Sequence, residues 1–251
     1  MPETKKSKTA IITGCNRGIG QSITSRLAQD GYDLILCSRN KNDQIMKSLK
    51  EKYKIQVREY NFDLRDIDGT ISSSKEIVKD CNQLNQGIDL LVNNAGMIKT
   101  GLFLMEKKEN FKEIFEVNFF SQVFFTQSII NLLKKSKDSS IINISSTSAL
   151  EHDLGRMAYN ASKAALISFS KTLSKELSMF GIRVNCIAPG LIDTEMLTSF
   201  TTQKVINEMI NKNISKRLGT KNEIAELVSF LASDKSNYIN GQTLRIDGGM
   251  F

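Results

Sequence analysis

Short runs that are apolar at nearly every position, separated by longer stretches of helical spacing, constrain this chain more than any other feature. Leu34-Ile-Leu-Cys, Leu90-Leu-Val and Ile141-Ile-Asn-Ile do not alternate between apolar and polar residues. A strand with one wet face would alternate, so these strands must be covered on both faces. The candidate strands are 9–13, 33–38, 56–62, 89–93, 140–145, 183–188 and 243–246. Helical patterns fall near 18–30, 41–53, 68–85, 107–135, 156–180 and 221–232. Strand and helix in regular turn imply right-handed crossovers and an α/β fold, a doubly wound seven-stranded parallel sheet with helices on both faces. The 251 residues, 40% of them hydrophobic, suffice for one continuous core. With no linker, no repeat and only Pro2 and Pro189 as prolines, residues 1–251 read as one domain. The stretch 191–219 fits the alternation least. It starts at the C-terminal end of a strand, where insertions form lids over ligand crevices.

Thr13-Gly14-Cys15-Asn16-Arg17-Gly18-Ile19-Gly20 follows the first strand and opens the first helix. That is the context a dinucleotide-binding turn requires, although the spacing is G-x-x-x-G-x-G. Gly14 allows a sharp turn, Gly18 a close backbone approach to a pyrophosphate, and Gly20 close packing of helix on strand. The helix N-terminus adds partial positive charge. An acidic residue at the end of the second strand would bond a free ribose 2′-hydroxyl; the chain has Ser38-Arg39 there, with Arg17 in the turn. Two guanidiniums and no carboxylate suit a 2′-phosphate, and hence NADP(H).

Tyr159-Asn-Ala-Ser-Lys163 puts a phenol and an ammonium one helical turn apart. A neighbouring lysine favours the phenolate, whose pKa is otherwise about 10, which makes the tyrosine a usable general acid or base. None of Tyr32, Tyr53, Tyr60 and Tyr238 has a lysine at that spacing.

The net charge of +7 comes from basic residues interleaved with acidic ones, a pattern that argues against nucleic acid and instead helps attract an anionic ligand. The densest basic cluster, Lys5-Lys6-Ser7-Lys8, reads as a frayed end. No apolar run is long enough for a membrane span, and the basic start has no apolar signal region behind it. Cys15, Cys37, Cys81 and Cys186 form no ligand or redox spacing; buried free thiols in a cytoplasmic protein are expected.

Together these segments resemble the short-chain dehydrogenase/reductase family over essentially the whole chain. The resemblance rests on Thr13-Gly14-x-x-x-Gly18-x-Gly20, Asn93-Asn94-Ala95-Gly96, Asn118, Ser146, Tyr159-x-x-x-Lys163, Pro189-Gly190 and Asp247-Gly248-Gly249, in that order. It implies a Rossmann fold and a hydride exchange between nicotinamide and a ketone or secondary alcohol. Tyr159 would be the proton donor in reduction, and Lys163 would lower its pKa and bond the nicotinamide ribose. Ser146 would polarise the carbonyl, and Asn118 would anchor a water behind Lys163. Cofactor contacts are implied at Gly14, Asn16, Arg17, Gly18, Ile19, Gly20, Ser38, Arg39, Asp63, Leu64, Asn93, Gly96, Tyr159, Lys163, Pro189, Ile192 and Thr194. Asp63 competes with Asp66 and Asp68 for the role of helix cap.

Within the family the chain looks most like the 3-oxoacyl-[acyl-carrier-protein] reductases, through Lys216-Arg-Leu-Gly219, Phe230-Leu-Ala-Ser-Asp234 and Tyr238-Ile-Asn-Gly-Gln-Thr-Leu244. Sugar and alcohol dehydrogenases share these motifs. The substrate is therefore a small molecule or an acyl thioester, with acyl carrier protein as a candidate partner. Where such reductases often carry a basic residue, this chain has Phe180; Lys134, Lys135 and Lys137 offer a substitute patch. The loop Leu150-Glu-His-Asp-Leu-Gly-Arg156 leans towards a polar or acidic substrate, with Arg156 either pairing with an anionic group or simply starting a helix. His152, the only histidine, reads as solvated. The alternatives are oxidoreduction of a sugar-like metabolite and a non-catalytic nucleotide-sensing role on the same fold. The helices 107–135 and 156–180 carry more apolar residues than one core-facing stripe needs, with phenylalanines clustered at 115–125, and in this family those helices pair across a two-fold axis, so a homotetramer, or at least a dimer, is expected.

Overall fold

Seven parallel strands lie in the order β3-β2-β1-β4-β5-β6-β7 in a computed structural model that describes residues 7–250. The strands are β1 (Thr9–Thr13), β2 (Asp33–Ser38), β3 (Val57–Asn61), β4 (Leu90–Asn93), β5 (Ser140–Ile144), β6 (Arg183–Pro189) and β7 (Thr243–Ile246). The principal helices are α1 (Gly18–Gln29), α2 (Asp43–Tyr53), α3 (Ile67–Gln83), α4 (Lys108–Phe115), α5 (Ser121–Leu133), α6 (Ser148–Glu151), α7 (Met157–Leu177), α8 (Glu195–Phe200), α9 (Gln203–Lys212) and α10 (Lys221–Ala232). Each strand and helix expected from the sequence is present, with ends moved by at most three residues, except that the helix expected over 107–135 is divided in two.

The unbroken apolar runs have their explanation in two cores. Alternate residues of a strand point to opposite faces. Ala10, Ile12, Leu34, Leu36, Leu90, Val92, Ile142 and Ile144 meet α1, α2 and α10 through Ile23, Leu27, Leu49 and Val228. The intervening Ile11, Ile35, Leu91, Ile141 and Val184 meet α3 and α5 through Ile77, Phe125, Ile129 and Leu132. Phe125 is fully buried and stacks on Phe62 at 5.7 Å; its truncation to alanine would cost about 3–5 kcal/mol.

Strand order reverses between β1 and β4, and ligands bind at such a switch point, outside the carboxyl ends of the strands. The pattern over 107–135 suggested one helix, but a π-helical turn, Glu116–Phe120, separates α4 from α5. Such turns carry one extra residue and often mark functional positions; this one holds Asn118, fully buried. The stretch 191–219 folds into α8 and α9, more helical than its sequence pattern suggested, and is tied down at one end by a bridge between Ile192 and Gly219. Lys5 and Lys6 lie outside the described residues. Their neighbour Lys8 is not frayed: it reaches Asp234 at 3.4 Å.

Candidate active site

The glycine turn closes where β1, β2 and β4 end. Gly14 and Gly18 have φ of +67° and +56°, a left-handed conformation that disfavours side chains. A Cβ on Gly20 would lie 2.0 Å from the Gly14 carbonyl oxygen, so only glycine lets α1 approach. Helix α1 has no acidic residue in its first turn and no side-chain cap at Arg17. Its leading N–H groups therefore suit an anion. Asn94 braces the turn, its Nδ2 donating to the carbonyls of Thr13 and Gly14, both at 3.0 Å. Asn94 stood inside the recognised motif without an assigned role; spacing does not reveal which of two adjacent asparagines faces the turn.

The candidate catalytic groups collect a short distance along the crevice. Ser146 follows β5, and its Oγ accepts the Ser148 N–H at 3.2 Å. Tyr159 is on α7, its phenol near enough to the Ser146 hydroxyl to be stabilised by it in the ionised form. Lys163, one turn further, is 2% exposed and donates from Nζ to the Ile144 carbonyl at 2.7 Å. Asn118 accepts the Met97 N–H at 2.8 Å and donates to the Met97 carbonyl and to Ser162 Oγ. A Cβ on Gly96 would stand 3.3 Å from both Asn118 Oδ1 and Lys163 Nζ. Glycine thus leaves a cradle bounded by these two polar groups. The open anion site at α1 and this cradle together fit a dinucleotide laid along the crevice.

The electrostatics differ from the expectation that Lys163 would lower the Tyr159 pKa. Burial raises the phenol above its usual 10, opposed by the Ser146 hydroxyl and by Arg156. Burial also drives Lys163 down to about 8. With Nζ turned to the Ile144 carbonyl, Ser146 and Arg156 supply the stabilisation of the phenolate that was expected of Lys163. Tyr159 is therefore a protonated acid at neutral pH.

Other residues fall around this centre. Asn16 bonds Ser38 Oγ at 3.1 Å and the Asn40 carbonyl at 2.6 Å, while Ile19 packs on the core. Arg39 is exposed. Arg17 leans instead towards Glu195 of α8, at 3.9 Å. Asp63 is not a helix cap; Asp66 caps α3, and Asp63 is held below the usual carboxylate range by Arg65. The Leu64 carbonyl accepts from Ser121 at 2.5 Å. Asn93 is buried between Thr126 and Asn143, a brace between β4 and β5. The Pro189 carbonyl anchors Thr147, Ile192 is buried, and Thr194 caps α8 with its methyl 3.9 Å from a Cβ on Gly18.

The loop after Ser146 spends its charges on the protein. Arg156 pairs with Asp153 at 3.0 Å and reaches Thr201; Asp153 also accepts from Ser148 at 2.6 Å, and Glu151 pairs with Arg245 at 2.6 Å. His152 is exposed, as expected. Large apolar side chains are also left open to solvent here. Leu154 is 94% exposed, and Leu102, Phe103, Leu104 and Met105 are exposed beside it, where Gly101 bridges to Arg156. Phe200 of α8 is next to Thr201 and is also exposed. These side chains form an apolar collar at the mouth of the site. Lys134 lies over the Phe180 ring at 3.8 Å and Lys135 bonds Asn82. Both follow the end of α5 that leads into the start of β5, remote from the catalytic ends of the strands.

A family model described as enoyl-(acyl carrier protein) reductase matches residues 14–251. The 3-oxoacyl-[acyl-carrier-protein] reductase of Chlamydia trachomatis serovar D is 38% identical over 97% of both chains. That of Buchnera aphidicola subsp. Schizaphis graminum is 32% identical over 98% of both. L-sorbose reductase from Gluconobacter frateurii, solved with NADPH and L-sorbose, superposes with a TM-score of 0.88 at 29% identity, covering 98% of this chain and 97% of its own. A short chain dehydrogenase from Burkholderia cenocepacia J2315, solved with NADP, gives 0.87 at 28% identity, covering 96% and 97%. With its glycine turn, its Ser146-Tyr159-Lys163 centre and these full-length likenesses, the chain belongs to the short-chain dehydrogenase/reductase family of oxidoreductases.

Proposed function

We propose that this protein reduces the ketone of a 3-oxoacyl thioester with NADPH. The apolar collar carries the substrate reading: Leu102–Met105, Leu154 and Phe200 offer an acyl chain a surface to leave water on, worth about 25 cal/mol per Å² buried. The polar residues of the same loop already have protein partners, which weighs against the sugar-like alternative. Exposed Lys107 and Lys108, which follow Met105 after Glu106, suit an acidic carrier delivering the thioester.

Gly14, Gly18, Gly20 and the N-terminus of α1 would hold the pyrophosphate; Arg39 would face the 2′-phosphate; Gly96 and Lys163 would flank the nicotinamide ribose. Bound there, the reduced nicotinamide would supply a hydride to the carbonyl carbon. Ser146 donates a hydrogen bond to the carbonyl oxygen and stabilises its developing negative charge. Tyr159, kept protonated by burial, gives that oxygen its proton. Lys163, with a pKa of about 8, can pass a proton to the phenolate at neutral pH, and Asn118 fixes the backbone at Met97 behind it. Helices α8 and α9 form the lid.

A homotetramer completes the reading: Phe120, Met179 and Phe180 are exposed on one side, Phe230 and Tyr238 beside the edge strand β7 on another. Four buried free thiols suit a reducing cytoplasm, and no helix of the described residues is long and apolar enough to cross a membrane. NADPH consumption with 3-oxoacyl thioesters and with ketoses decides the substrate; a higher kcat/KM on ketoses than on any 3-oxoacyl thioester would overturn the reading.

A further inference from the structure

Glu59 on β3 brings a carboxylate to the adenosine end of the crevice, where the end of β2 itself has none. In the register of the sheet, Glu59 pairs with Leu36 and Asn61 with Ser38, so the Glu59 side chain reaches forward along the sheet to the end of β2. Its Oε1 accepts the Ser38 hydroxyl at 3.2 Å, the Asn42 N–H at 3.1 Å and the Asn61 amide at 3.3 Å; its Oε2 accepts Asn42 N–H at 3.3 Å. Ser38 has one proton to share between Glu59 and the Asn40 carbonyl at 2.8 Å, and Asn16 of the glycine turn donates to the same Ser38 oxygen. Lys41 is within the field of Glu59 but pairs with Asp43 at 2.9 Å. The carboxylate is therefore satisfied by neutral donors, which leave its negative charge in place. Arg17 turns to Glu195, so Arg39 is the guanidinium left to oppose it at this end of the crevice.

We propose that Glu59 is a cofactor-selectivity residue, placing from β3 the negative charge that folds selective for a free ribose 2′-hydroxyl carry at the end of β2. It weakens the preference for a 2′-phosphate below what Arg39 alone would set, and it fixes the 38–42 loop from which Arg39 projects. This rests on the NADP(H) reading above. It also explains why Ser38→Asp is a poor probe of that preference: the new carboxylate would face Glu59 across a hydrogen-bond distance.

The test is calorimetric titration of the purified protein with NADPH and with NADH, with no turnover involved. Glu59→Gln keeps an acceptor for the Asn42 N–H and removes the charge. The Kd for NADPH should fall by roughly 3- to 10-fold, the size of one partly screened charge interaction, with the Kd for NADH within about two-fold. Adding Arg39→Ala should cancel the gain. Glu59→Ser, which also keeps a neutral acceptor, should shift the NADPH/NADH ratio the same way and stands in if the glutamine variant loses its thermal transition. An unchanged ratio in both variants overturns the proposal, as does equal weakening of both cofactors, which would make Glu59 only a brace for the loop. The wild-type protein judges the underlying reading separately: tighter binding of NADH than NADPH overturns the NADP(H) assignment whatever the variants do.

Discussion

Replacing Lys163 with methionine should abolish turnover and stabilise the folded protein at neutral pH. Lys163 is 2% exposed, and burial lowers its pKa from 10.5 to about 8. Below pH 8 the lysine is protonated in both folded and unfolded states, and the folded state bears the full penalty. At 1.36 kcal/mol per unit this is about 3 kcal/mol. Between pH 8 and 10.5 the folded protein releases the proton while the unfolded chain keeps it, so stability rises with pH through that window. Above 10.5 both states are neutral and the penalty is gone. Methionine carries no such penalty, but leaves the Ile144 carbonyl without its 2.7 Å donor, a loss of about 1–2 kcal/mol that does not change with pH. At pH 7 the variant should therefore be more stable by about 1–2 kcal/mol, or about 2–8 °C in Tm for a domain of this size. The advantage should shrink from pH 8 and reverse by about pH 10. Comparing variant with wild type cancels Cys186, pushed up to about 11, and Cys15 and Tyr32, pushed up to about 12. All three lose stability as pH rises above their unfolded values. Urea unfolding at equal protein concentration from pH 6.5 to 10 measures the difference. A variant less stable than wild type at pH 7, with a difference that does not vary with pH, would refute the claim that burying this ammonium costs folding energy.

Tyr159→Phe should keep NADPH affinity and lose turnover by the ~10²–10⁴-fold typical of a missing general acid; near-normal turnover would remove Tyr159 from the chemistry. Since Tyr159 titrates above 10, alcohol oxidation should accelerate as pH rises towards 10, whereas ketone reduction should decline above about 8 as Lys163 loses its proton; parallel pH profiles in the two directions would contradict this. Arg156→Ala breaks the links to Asp153 and Thr201, so KM should rise for neutral and acidic ketones alike, and a rise confined to acidic ketones would restore a direct substrate contact. Light scattering at micromolar protein should give a tetramer, with Phe120→Asp or Phe180→Asp lowering the mass; a monomeric wild type would refute the interface.

The sheet was legible because its evidence is local. Each of Leu34–Cys37, Leu90–Val92 and Ile141–Ile144 states within four residues that both faces are dry, and strands covered on both faces in regular alternation with helices imply a parallel sheet. Tyr159 and Lys163 were legible for the same reason, since one helical turn is a fixed distance. The π-turn at Glu116–Phe120 was not, because it depends on Asn118 being held by Met97, twenty-one positions away, and the pattern of apolar residues continues through it. Glu59 was missed because a carboxylate in a strand reads as solvent-facing, and its partners Ser38 and Asn42 are brought to it only by strand register. The charges of the 150–156 loop pointed towards a polar substrate for a similar reason: composition reveals that Glu151, Asp153 and Arg156 are present, not that Arg245, Ser148 and one another already satisfy them.

That pairing changes what the site selects. A loop charge free to meet substrate would add specificity at the mouth; a paired one fixes the loop and, on the proposed function, leaves selection to exposed apolar residues such as Leu154 and the 102–105 segment. The polar groups proposed to do the chemistry lie deeper and are themselves buried: Asn118 and Lys163 almost wholly, Ser146 and Tyr159 in part. The proposed reaction accounts for the arrangement. A proton donor must stay protonated until the carbonyl oxygen accumulates charge, and burial of Tyr159 achieves that; the lysine behind it must release a proton near neutral pH, and burial of Lys163 achieves that as well. One physical cause, removal from water, moves a phenol up and an ammonium down, so that two groups with nearly equal ordinary pKa values are separated and the lysine becomes the stronger acid. That order lets the lysine give up a proton that the phenolate would accept, and the folding energy lost at Lys163 is the cost of placing it there.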